Sequence, residues 1–206
     1  MKKHDKSDSI EVTGKAVGKE IISSILDWLI AIAVGVLVGV VLVVFVIQRD
    51  NVYGDSMVPT LRSGYVVMTE KISTYFHHFN RGDVVILDGQ NMEGYSHEEY
   101  LIKRIVGLPG ETVRIADGHV YIREEGASDF YVLEESYLAP GTETYVMSLG
   151  LDKGYDEITL GENEYYCMGD NRPVSNDSRN LGPFTEDRIK GIAFIVIYPF
   201  REFGLI

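Results

Sequence analysis

From Trp28 to Ile47 the chain reads WLIAIAVGVLVGVVLVVFVI, twenty residues without a charge. Twenty helical residues rise about 30 Å, the thickness of a bilayer's hydrocarbon core, so the pattern predicts one transmembrane helix over 28–47. Residues 1–27 are polar and lysine-rich, with no strong apolar period before Ile21, and predict a mostly disordered cytoplasmic tail. Beyond Ile47 the period changes. Short apolar runs recur between turn signals at 65–68, 84–87, 100–106, 112–116, 119–123, 164–168 and 192–198, and these are predicted strands. Residues 113–122 alternate on both sides of Asp117-Gly118, which suits a type I′ hairpin turn. No helical apolar period follows the anchor, and no interval leaves room for repeated crossover helices. The expected fold is therefore mainly β: an antiparallel β-sheet domain over 48–206 behind a single N-terminal transmembrane helix. Residues 124–163, mixed in polarity and rich in glycine, read as an irregular insertion within that domain.

A cleaved secretory signal is the rival reading of the apolar stretch, but it would be shorter and followed by a small-x-small site, which Gln48-Arg49-Asp50-Asn51 does not offer. Five lysines precede the span, against Arg49 and Arg62 soon after it, which favours a cytoplasmic N-terminus and an extracytoplasmic domain at the cell membrane. After Arg49 the chain holds 13 basic and 26 acidic residues. Such a surface argues against nucleic acid as a partner. Cys167 is the only cysteine, so no intrachain disulfide forms, and a lone thiol is expected to be a small buried apolar residue. The oligomeric state is not legible.

Candidate chemistry starts from a lysine between apolar neighbours, Leu101-Ile102-Lys103-Arg104-Ile105-Val106. On a strand, Lys103 shares a face with Leu101 and Ile105 while Arg104 points the other way. An exposed lysine of pKa about 10.4 is neutral in about one copy in 2,500 at pH 7, too few for a base. Burial disfavours the ammonium and lowers the pKa by roughly 3 to 5 units in the extreme. The plainer reading is a strand-edge lysine that snorkels to water. Ser56, in Gly54-Asp55-Ser56-Met57-Val58-Pro59-Thr60, is the candidate nucleophile. Pro59 biases Val58 away from helix, so the serine sits on extended or turning backbone, and Val58 in place of glycine rules out a nucleophile elbow. A serine needs a neighbouring base. His77 and His78 would point to opposite faces of a strand, while His97 and His119 fall in a polar loop and a hairpin turn, so all read as surface residues. No ligand spacing suggests zinc. Lysine remains the candidate base. The polar run Gly169 to Arg179 could be a plain loop, yet it holds hydroxyls and Asp/Arg pairs suited to orienting an amine.

Four segments in order behind one anchor then resemble the boxes of bacterial type I signal peptidases. They are Ser56-Met57-Val58-Pro59-Thr60-Leu61, Arg81-Gly82-Asp83-Val84-Val85, Lys103-Arg104-Ile105-Val106-Gly107-Leu108-Pro109-Gly110-Glu111, and Gly169-Asp170-Asn171-Arg172 through Asp177-Ser178-Arg179. The resemblance implies Ser56 as nucleophile and Lys103 as general base. It implies Ser175 as the hydroxyl that orients the amine, with Asp177 and Arg179 as a supporting ion pair. Two positions depart from the family pattern. Gly54 stands where some members carry a serine or threonine that assists the oxyanion, and Leu101 where an aromatic residue often precedes the lysine by two.

The implied activity is removal of signal peptides from secretory preproteins through an acyl-enzyme, with no metal or organic cofactor. Ser56 lies nine residues past Ile47, at most about 30 Å from the membrane edge, which suits a scissile bond just beyond an apolar segment. Competing readings are a self-cleaving Ser/Lys protein and a catalytically silent anchored β-domain that binds exported chains without cutting them.

Overall fold

The computed structural model describes residues 5–93, 95 and 100–206, with side chains from residue 23 onward except Val44. It divides into two units, 1–45 and 46–206. The first is the helix α1 (Asp5–Phe45). Its apolar stretch, Ser23–Val43, is long and apolar enough to cross a membrane, and none of it is covered by protein. Helix begins at Asp5, inside the polar stretch expected to be disordered, because extending an existing helix avoids the cost of a new nucleus. Its C-terminal end is Phe45, and Ile47 already belongs to a strand.

The second unit runs β1 (Ile47–Asn51), β2 (Val66–Glu70), α2 (Ile72–Phe76), β3 (Val84–Leu87) and β4 (Leu101–Gly107). There follow β5 (Thr112–Ala116), β6 (His119–Arg123), β7 (Tyr131–Val132), α3 (Ser148–Asp152), β8 (Glu157–Thr159) and β9 (Glu164–Met168). It ends with α4 (Ser178–Leu181), β10 (Phe184–Thr185), β11 (Ile189–Tyr198) and β12 (Gly204–Leu205). The larger sheet has the order β1-β2-β11-β3-β4-β9-β10, with β12 on β11, and the smaller has β7-β6-β5-β8. Every pairing among the described residues is antiparallel.

Apolar periodicity explains the layering. Along β3, Val85 and Leu87 enter one core with Ile105, Cys167 and Phe184, whereas Val84 and Ile86 enter another with Val52, Met57 and Leu61. A third core joins the sheets, from Val106, Tyr166 and Met168 on the larger and Val113, Ile115, Val120 and Ile122 on the smaller. The hairpin turns at Asp117 (φ 50°) and Gly118 (φ 78°), the two positive values a type I′ turn requires. The 124–163 segment is more ordered than its composition suggests: β7 and β8 flank the hairpin and complete the smaller sheet.

Candidate active site

Strand β4 is where sequence and site meet. Val85 faces Lys103 across the β3–β4 ladder, and Ile105 faces Cys167 across β4–β9. Lys103 therefore stands among apolar side chains and is 2% exposed. Desolvation pulls its pKa from 10.5 to about 8, with Asp177 the main opposing influence. The amine ends 2.7 Å from Ser56 Oγ and 3.0 Å from the Ile102 carbonyl. When Lys103 is an ammonium it donates to the serine; when it is neutral its lone pair accepts the serine proton.

Ser56 heads a turning segment in which Val58 N–H donates to the Asp55 carbonyl and Leu61 N–H to the Met57 carbonyl. Met57 and Leu61 are buried in the second core and pin the segment. From the other side, Asn171 donates its N–H to the Ser56 carbonyl and its side-chain amide to the Asp55 carbonyl. Gly169 lies where these strands of chain converge. A Cβ there would stand 2.2 Å from Ser175 Oγ and 2.4 Å from the Ser56 carbonyl oxygen, so only glycine fits.

The residues expected to support the lysine are brought to this place. Asp177 and Arg179 form a two-pronged buried ion pair, Nε to Oδ1 at 2.9 Å and Nη2 to Oδ2 at 2.8 Å. Burial resists the Asp177 charge, but Arg179, the Ser175 hydroxyl and the Gly169 N–H outweigh it and hold its carboxyl below the usual range. Arg179 also donates to the carbonyls of Tyr145, Arg172 and Ser175, fastening the 169–179 loop. Ser175 is buried beside them, with its hydroxyl close enough to help hold the Asp177 charge; the second contact of the amine goes to the Ile102 carbonyl. Cys167 is fully buried, and burial pushes its thiol up.

Sequence reasoning missed a second polar network on the opposite face of β4. Arg104 grips Asp170 with two hydrogen bonds, 2.9 and 2.7 Å, and donates to Thr60 and to the Gly82 carbonyl. Thr60 in turn donates to Asp170. The Tyr137 ring covers the Arg104 guanidinium at 4.1 Å. Arg172 pairs with Glu135 and donates to Thr144 and to the Gly169 carbonyl. Glu135, Tyr137, Thr144 and Tyr145 all belong to the 124–163 segment, so that segment braces the loop. The one available signal was the pair of arginines in Gly169 to Arg179, each of which needs a carboxylate once buried.

Among the described residues, the histidines take no part in this chemistry. His77 closes α2 in a left-handed conformation and contacts Glu186, so the strand expected there is absent; His78 and His119 are exposed. His97 lies outside the described residues. No group of three or more His, Cys, Asp or Glu suited to a metal occurs among the described residues.

A groove of about 350 Å³ runs between β1 and β4, lined by Arg49, Asp50, Asn51, Tyr53, Ile86, Tyr100 and Ile102. The β4–β9 ladder starts only at Arg104, leaving the earlier residues of β4 unpaired on that edge, and β1 ends the sheet. Two free backbone edges thus border the groove, the kind of edge to which an extended peptide can add by main-chain hydrogen bonds.

The family described as signal peptidase, peptidase S26, matches residues 25–198. The chain belongs to this family. It is 35% identical over 187 residues to signal peptidase I S of Bacillus subtilis, covering 87% of this chain and 92% of that one. With signal peptidase I of Bacillus licheniformis it shares 33% over 181 residues, at the same coverage. A crystal structure of a signal peptidase I from Enterococcus faecalis superposes with a TM-score of 0.43 at 27% identity, covering 56% of this chain and 96% of that one. This member of the peptidase S26 family is a serine peptidase, which removes the reading of a domain that binds without cutting.

Proposed function

We propose that this chain is a membrane-anchored endopeptidase that removes N-terminal signal peptides from secreted preproteins, with Ser56 as nucleophile and Lys103 as general base. The observation that carries the reading is the 2.7 Å approach of a desolvated lysine amine to a serine hydroxyl. With a pKa of about 8, about one Lys103 in ten is neutral at pH 7, roughly 200-fold more than for an exposed lysine. Neutral Nζ takes the Ser56 proton as Oγ bonds to the scissile carbonyl carbon. The C–N bond then breaks, and the departing amine takes the proton back from Lys103. Water attacks the resulting ester by the same proton relay, releasing the signal peptide as a carboxylate. The Ser56 N–H is the oxyanion donor, since Gly54 brings no hydroxyl. Ser175, buried beside Asp177, is the hydroxyl that orients the amine during proton transfer, and the Asp177–Arg179 pair fixes the loop that carries it.

The substrate binds extended between the free edges of β1 and β4, and α1 holds the enzyme in the cell membrane with residues 1–27 in the cytoplasm and the unit from Val46 outside. Exported chains bring an apolar segment ahead of a small-x-small site, which matches a peptidase tethered by its own apolar helix. Purified full-length protein in detergent, incubated with a preprotein, is expected to yield a new N-terminus directly after the small-x-small site. Ser56→Ala and Lys103→Ala are each expected to yield none while staying folded by circular dichroism; cleavage by either variant refutes the pair. Cutting a separate preprotein also excludes a protein that cleaves only itself.

A further inference from the structure

The groove between β1 and β4 contains one feature that a site for small apolar side chains does not need, a carboxylate. Along β1 the side chains alternate, so Asp50 shares the inward face with Val52, which is buried in the core beneath. Its neighbours in the groove include Ile86 and Ile102. Asp50 Oδ1 accepts from Gln48 Nε2 at 2.6 Å. Oδ2 is buried with no hydrogen-bond partner among the described residues. A buried carboxylate oxygen left unpaired is costly, and a donor that reaches it gains a charge-assisted hydrogen bond.

We infer that Asp50 makes this groove selective for a hydroxyl-bearing substrate side chain, serine or threonine, at the third residue before the cut. The inference rests on the proposed signal-peptide cleavage at Ser56. In an extended substrate, the first and the third residues before the cut, two positions apart, point to the same side. With the first beside Ser56 and directed into the protein, the third enters the groove upstream along β1. Threonine and valine have nearly the same shape there. An apolar wall of Ile86 and Ile102 alone would favour valine, because the threonine hydroxyl would be desolvated without a partner. With Asp50 in the wall the order reverses.

The test compares two preproteins that differ only by valine or threonine at that position, cut by the full-length protein in detergent. Wild type is expected to cut the threonine form with kcat/KM about tenfold higher, the lower end of what a hydrogen bond to a charged group gives. Asp50→Leu is expected to remove or invert the preference, and Asp50→Asn, which keeps an acceptor, to retain part of it. The same exchange at the second residue before the cut, which points away, is expected to change kcat/KM by less than about twofold. Should Asp50→Leu not fold, the wild-type ratios alone decide. Equal or faster cutting of the valine form by wild type, or a preference that survives in Asp50→Leu, overturns the role of Asp50 while leaving the peptidase reading intact. Failure of wild type to cut either preprotein overturns the reading at Ser56 and the inference with it.

Discussion

At pH 7 most copies of Lys103 still carry a proton inside an apolar wall, and the fold bears the cost. Below about pH 8 both the folded and the unfolded chain hold that proton, so the penalty of a buried ammonium is present in full. Between about 8 and 10.5 the folded chain releases it first, and stability rises with pH. The shift from 10.5 to about 8 corresponds to about 3 kcal/mol at about 1.4 kcal/mol per unit. Lys103→Met, similar in reach and uncharged, is therefore expected to be more stable than wild type at pH 7 by up to about that amount. The difference should vanish by about pH 10.5, as read from urea unfolding followed by circular dichroism. Equal stability at pH 7 would mean the amine is solvated. Lys103 was legible because alternation along one strand places it between Leu101 and Ile105. Arg104 was not, because its partners Thr60 and Asp170 lie 44 and 66 residues away and nothing local announces them.

The loop between β9 and α4 holds its shape through elements that are remote in sequence. Arg172 is buried, and Glu135 supplies its countercharge from a segment whose composition suggested only irregular chain. Glu135→Ala leaves that guanidinium buried without a charge partner, a change that typically costs about 3 to 5 kcal/mol. We expect a marked fall in the urea midpoint, with Glu135→Gln intermediate because it keeps an acceptor. Gly169→Ala acts differently. Its Cβ meets the Ser56 carbonyl, so Ser56 must move, and displacement of a reacting group by about 1 Å can cost about 100-fold in rate. Steady-state cleavage should show that loss with little change in the circular dichroism spectrum; unchanged kcat would place Ser56 elsewhere. The strands themselves were legible from their period of two. The brace was not, because Glu135, Tyr137 and Thr144 reach inward from loops where no period exists, and Tyr145 contributes only its backbone carbonyl.

For the molecule as a whole, the division at 45/46 makes a separable prediction. Residues 46–206 contain all three cores, both sheets and the Ser56–Lys103 contact, so this piece is expected to fold alone. It should cut a short soluble peptide with kcat/KM within about threefold of the full chain. A preprotein embedded in vesicles should be cut more slowly by about 100-fold, because the local concentration supplied by a shared bilayer is lost. Equal rates on the embedded substrate would leave α1 without the proposed part in catalysis. The all-antiparallel fold behind one apolar helix was readable from hydrophobic period alone; the curl that sets β1 opposite the unpaired start of β4 was not, since it depends on which strands meet across the sheet. The most direct test of the central claim is the pH dependence of kcat/KM for preprotein cleavage by the full-length protein from pH 5 to 10. A neutral Lys103 acting as base predicts a rise of about tenfold per pH unit that levels above about pH 8. A flat profile across that range would contradict it.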